Sequence, residues 1–170
     1  MNNLIRLIDG APQIVENDPW QRIDPVPETL PEGQLILPLN AWIARQDEAT
    51  LRAERPSADG LCLAPDDEVE GLQPYLNVLP LIAIDFPSFR DGRGYSQAYL
   101  LRTRLGWRGE LRAVGDVLRD QLSHMRQCGF DAFAVREDKS VADAVKGLAG
   151  VSVVYGRSAI EPRPLFRRRT

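Results

Sequence analysis

From Gln34 onward the chain alternates short apolar runs with stretches of helical periodicity, and this alternation limits the available folds more than any other feature. Leu35–Leu39 reads as a strand, and Asn40 is placed to cap a helix running to about Thr50. After the loop Ser57–Gly60 comes a strand at Leu61–Ala64. Asp66 or Asp67 can cap the next helix, in which Val69, Leu72, Tyr75 and Leu76 recur at helical spacing. Leu79–Phe86 is the strongest strand, and the loop from Pro87 to Gly94 leads into a helix that Gly106 ends. A strand at Glu110–Val114 precedes Asp116, placed to cap a helix at Val117–Cys128 that Gly129 closes. Asp131–Val135 is the next strand. Ser140 with Asp143 then has the spacing of a capping box, starting a helix that ends near Gly150, before a last strand at Val151–Tyr155.

Six strands joined by helices call for a mainly parallel sheet, because parallel neighbours need crossover connections. An open α/β sheet with helices on both faces is the first expectation, and a partial (β/α) barrel is the alternative that spacing alone does not separate from it. The first 33 residues differ from this pattern. Leu4–Ile8 and Gln13–Val15 flank Asp9-Gly10 as a hairpin, and prolines at 19, 25, 27 and 31 then make an extended acidic arm. The expected plan is therefore a hairpin and arm over 1–33, an α/β domain over 34–155 and a basic tail over 156–170.

With 44% hydrophobic residues in 170, the chain can bury a real core without disulfide or metal staples, and it is too apolar to be disordered throughout. The net charge of −3 hides an uneven distribution. Residues 1–80 carry 5 basic and 14 acidic side chains, net −9, and residues 81–170 carry 16 and 10, net +6. Of the 21 basic residues only Lys139 and Lys146 are lysine. A sequence pI near 5.3 argues against a dedicated nucleic-acid binder, and Arg167-Arg168-Arg169 reads as a solvated tail. No apolar run approaches a membrane span and no secretory leader is visible, so a cytoplasmic protein without membrane contact is expected. Two cysteines, Cys62 and Cys128, and one histidine, His124, form no metal-ligand spacing and cannot supply four thiolates to an iron–sulfur cluster.

In either architecture ligands gather at the carboxyl ends of the strands. That rule selects Asn40, Asp66, Asp67, the segment Asp85–Ser96, Gly115–Asp120 and Arg136–Asp138. In Asp85-Phe-Pro-Ser-Phe-Arg-Asp-Gly-Arg-Gly-Tyr-Ser96, Gly92 and Gly94 would let backbone approach a ligand, and Arg90, Arg93 and Ser96 could clasp an oxyanion. The competing reading is a structural turn whose arginines pair with Asp85 and Asp91. Arg119 could join the anion site or pair along its helix with Asp116 or Asp120. Asp85 and Asp116 are the candidate catalytic acid or base, with a simple helix cap as the competing role of Asp116. Asp120, His124 and Cys128 share a helix face, but Cys128 stands at the end remote from the strand-end rim, which argues against a nucleophilic relay.

Three stretches, Ile82–Gln97, Gly109–Gln121 and Cys128–Phe133, are the densest in distinctive residues. Together they resemble a bacterial domain-of-unknown-function family that carries the description "probable oxidoreductase involved in sulfite reduction", over roughly residues 34–155. The resemblance implies an accessory role in assimilatory sulfite reduction, binding the sulfite reductase hemoprotein or its electron donor. The siroheme and iron–sulfur cluster would then be held by the partner reductase, not by this chain. A metal-independent enzyme acting on a small anionic sulfur or phosphorylated substrate, and a catalytically silent α/β scaffold, are the alternatives.

Overall fold

The computed structural model describes residues 1–55 and 58–148. One sheet of eight strands runs through it: β1 (Leu4–Ile8), β2 (Ala11–Val15), β3 (Trp20–Arg22), β4 (Gln34–Pro38), β5 (Gly60–Leu63), β6 (Leu81–Phe86), β7 (Glu110–Gly115) and β8 (Ala132–Ala134). Their spatial order is β2-β1-β8-β7-β6-β5-β4-β3. Strands β3 to β8 are parallel and each pairs with its neighbour in sequence. The hairpin β1–β2 adds antiparallel to β8. Residues 1–33 thus provide both margins of the sheet, the hairpin at one side and β3 at the other. The predicted strand at 151–155 and the basic tail lie outside the described residues.

An open sheet wound in both directions reverses its strand order at one point; this sheet never does. Successive right-handed crossovers that always step the same way leave their helices on one face and curl the sheet. The result is a curled half-barrel, so the expectation of helices on both faces is corrected. The helices are α1 (Leu39–Leu51), α2 (Arg93–Thr103), α3 (Arg119–Cys128) and the short α4 (Val141–Ala144), with a 3₁₀ turn at Glu70–Tyr75. Their apolar residues Trp42, Leu72, Leu101 and Met125 pack on Leu37, Leu63, Ile84, Phe86 and Leu111 of the strands in one continuous core. The alternate strand residues Ile36, Cys62, Ala83 and Val114 face the concave side, where Met1 and Trp20 cover them. Among the described residues no helix is long and apolar enough to cross a membrane.

Several local expectations change for identifiable reasons. Asn40 lies inside α1, whose N-cap is Pro38 with no side-chain bond. Helix formation after Asp67 is confined to the 3₁₀ turn, which contains Pro74, a residue that cannot donate to an α-helical ladder. Asp67 instead accepts a hydrogen bond from the Ala64 N–H at 2.7 Å. Ser140 does cap α4, its hydroxyl accepting from the Asp143 N–H at 3.1 Å, and Gly129 ends α3 at φ +113°.

The concave interior is held by a buried ionic cluster. Arg112 of β7 is fully buried and its guanidinium bonds Glu110 at 2.8 Å and Asp18 at 2.8 and 3.1 Å. The Met1 ammonium donates to the carbonyls of Asp18 and Trp20 and lies 3.3 Å from the Asp18 carboxylate. Burial alone would raise the Asp18 carboxyl, but Arg112 and the ammonium outweigh it and hold the group below its ordinary 3.8. Burial dominates at Glu110 and pushes its carboxyl upward despite Arg112 and Arg6.

Candidate functional site

All six parallel strands end at one rim, and on its concave side two arginines reach inward from the first and last of these strands, β3 and β8. Arg22 ends β3 and pairs with Asp85 of β6 at 3.2 Å and with Asp24 at 3.8 Å. Arg136, two residues past β8, pairs with Asp116 just beyond β7 at 2.9 Å and with Asp138 at 2.7 Å. The two sides follow one plan. Each arginine holds an inner carboxylate, Asp85 or Asp116, with about a fifth of its side chain exposed (20% and 19%). Each also holds an outer carboxylate two residues further along the chain, Asp24 or Asp138, at 62% and 55% exposure.

Between the arginines lies a cavity of about 660 Å³, whose wall includes Trp20, Arg22, Val114, Gly115, Ala134 and Arg136. A smaller space of about 200 Å³ continues past Arg22 to Cys62 and Asp85. Gly115 forms the wall at φ +93°, and a β-carbon there would fall 2.5 Å from both Asp85 Oδ1 and the Phe86 carbonyl oxygen. Only glycine meets both demands, so the backbone itself lines the cavity.

Burial raises the Asp85 carboxyl above its ordinary value, against the attraction of Arg22. The Cys62 thiol is pushed up to about 12 by burial, with Arg22 pulling the other way, so it stands protonated and unreactive as a nucleophile. Hydrogen bonds to Asp138 first, and then to Asp116, keep Arg136 more firmly protonated than a free guanidinium. The Nε of Arg22 is enclosed without a hydrogen-bond partner among the described residues.

The structure brings Asp85 and Asp116 to this rim and leaves the predicted anion-binding residues elsewhere. Arg93 points to the outer side, where it chelates Asp91 and also meets Asp66. Arg90 lies over the Phe89 ring, 5.4 Å from its centroid. Ser96 is exposed on α2, and Arg119 pairs with Asp143 at 3.0 Å, not with Asp116 or Asp120. Gly92 is the N-cap of α2 and nothing comes within 4 Å of where its β-carbon would stand. Gly94 is close to the strand below, since a β-carbon would fall 2.7 Å from the Phe86 ring. Its smallness therefore serves helix–sheet packing, not ligand approach.

Asp116 does not cap α3, whose N-cap is Leu118. Its second oxygen instead accepts the Phe89 N–H at 2.8 Å, while Gln121 donates to the Phe89 carbonyl at 2.6 Å. The backbone of this exposed aromatic is thus fixed from both sides. The His124 ring lies tilted by 47° against Tyr95, with centroids 4.5 Å apart, and burial raises both the Tyr95 hydroxyl and the Cys128 thiol.

Sequence reasoning missed Arg22, Trp20 and Gln121. Arg22 and Trp20 stand between prolines 19 and 25 in the supposed arm, where a three-residue strand leaves almost no periodic signal. The repeated Arg-x-Asp at Arg22–Asp24 and Arg136–Asp138 was the available clue. A family model described as "Bacterial protein of unknown function (DUF934)" matches residues 60–166. No curated protein matches the chain.

Proposed function

Because the chain belongs to the bacterial family of unknown function DUF934, whose description assigns no reaction, we propose its role from the motif resemblance and the rim together: an accessory protein of assimilatory sulfite reduction that binds the sulfite reductase hemoprotein or its electron donor. The observation that carries a binding role is the presentation of Phe89. Its ring is 45% exposed, Arg90 stacks on it, and its backbone is clamped by Asp116 and Gln121. Aromatic and arginine side chains are enriched among residues that dominate interfaces. Fixing them before contact removes part of the ordering cost of association. In this reading the siroheme and iron–sulfur cluster stay with the partner, and this chain contributes a docking rim.

The test is capture of the purified hemoprotein by the full chain and by Phe89→Ala. The exposed ring can be removed without opening the core, and its loss should weaken capture by about 2 kcal/mol, roughly thirtyfold. Absence of any complex with hemoprotein or donor, together with normal sulfite-dependent growth of a clean deletion strain, contradicts the role.

A metal-independent enzyme is the second reading, favoured by the raised carboxyl of Asp85 at a cavity wall beside a guanidinium. It requires that Asp85→Asn abolish turnover of a small anion while leaving the fold intact.

A further inference from the structure

We propose that the concave cavity between Arg22 and Arg136 binds a small organic anion, one oxyacid group on an apolar or aromatic body. Its arginines stand on opposite walls, from strands at the two sides of the curled parallel sheet, and both reach the same space. Guanidinium groups are the side chains best shaped for carboxylate, phosphate or sulfonate oxygens. Both are already paired, but unequally. The inner partners Asp85 and Asp116 are sheltered and orient the guanidiniums, whereas the outer partners Asp24 and Asp138 are more than half exposed.

An exposed carboxylate loses little when it returns to water. An incoming oxyacid group can therefore replace Asp24 on Arg22, where the existing contact is a long 3.8 Å, and Asp138 on Arg136. The enclosed Arg22 Nε, unpartnered among the described residues, marks this guanidinium as incompletely satisfied. The rest of the wall is mixed: Trp20 offers a ring and Val114 and Ala134 offer methyl groups, beside the polar Asn2, Gln21 and Glu137. A bare inorganic oxyanion would leave that surface wet, so the ligand carries a hydrophobic body. The groups that would touch a ligand here, Arg22, Arg136 and Trp20, are not those of the Phe89 docking rim, although Asp116 supports both; Phe89→Ala and Arg136→Gln therefore let either proposal fail without the other.

Calorimetric titration with phenyl phosphate, benzoate, inorganic phosphate and uncharged benzyl alcohol tests it. Both aromatic anions should saturate a single site, with inorganic phosphate weaker and benzyl alcohol silent. Arg136→Gln should weaken phenyl phosphate by about tenfold or more, the worth of one charge-assisted contact. Asp138→Asn removes the competing carboxylate and should tighten it several-fold, a gain that an unfolded variant would not give. Arg52→Gln, at the exposed C-cap of α1, should bind as the parent does. No saturable binding of either aromatic anion up to about 10 mM overturns the proposal. So does parental affinity in Arg136→Gln, or loss of affinity in Arg93→Gln instead. Inorganic phosphate binding as tightly as phenyl phosphate overturns the organic body.

Discussion

Arginine paired with two carboxylates occurs both inside the half-barrel and at its rim, and the two settings differ chiefly in burial. Arg112 is 0% exposed, and its partners Asp18 and Glu110 are 4% and 12% exposed. Arg22 and Arg136 are 26% and 38% exposed, and each shares its charge between a sheltered carboxylate and one open to water. The inner cluster cannot exchange partners without leaving a charge in the interior. The rim clusters can. Identical chemistry therefore gives a fixed structural joint in one place and an exchangeable binding position in the other.

The largest expected effect is at the joint. Arg112→Met removes the buried cation that Asp18 and Glu110 share, leaving Asp18 only the Met1 ammonium and Glu110 only the half-exposed Arg6, and should cost about 3–5 kcal/mol in urea denaturation. A loss below about 1 kcal/mol would mean that the inner cluster is as replaceable as a surface pair. Next comes the frame beneath the rim. Gly115→Ala places a methyl group against Asp85 and the Phe86 carbonyl at a left-handed φ, and should cost about 1–3 kcal/mol. It should also disturb the Arg22–Asp85 pair, which would appear as altered ligand affinity.

Proton linkage sharpens the same contrast. Asp18 titrates lower in the folded chain than its ordinary 3.8, so its stabilising contribution is complete above that value and is lost as pH falls through the lower folded one. The stability advantage of the parent over Asp18→Asn should therefore be larger at pH 6 than at about pH 3. Asp85 is shifted the other way by burial. Its contribution is greatest below 3.8 and declines as pH rises toward its higher folded value, so parent minus Asp85→Asn should slope oppositely.

Much of this architecture is legible in the sequence, and the limits have physical causes. Runs such as Leu81–Phe86 and Glu110–Gly115 announce themselves because both faces of a parallel strand are buried. The same runs say nothing about which strands adjoin, since an open sheet and a half-barrel use identical strand–helix units. Strand order decides that, and with it which side of Asp85 faces a cavity. Strand-end logic found Asp85 and Asp116 because position along a strand is readable. It missed Arg22 because β3 owes its existence to pairing with β4, not to local propensity. Gly94 was legible as a glycine that permits close approach, but the approaching group is Phe86 and not a ligand. Asp116 sits where a helix cap would, yet the loop carrying Phe89 offers its N–H first.

The most direct test measures Arg136→Gln twice in one preparation, by urea denaturation and by phenyl phosphate titration. Exchangeable pairing at the rim predicts stability within about 1 kcal/mol of the parent and affinity reduced by about tenfold or more. A variant destabilised by about 3 kcal/mol or more, or one that binds phenyl phosphate as the parent does, would contradict it by making Arg136 a second structural joint or an idle surface charge.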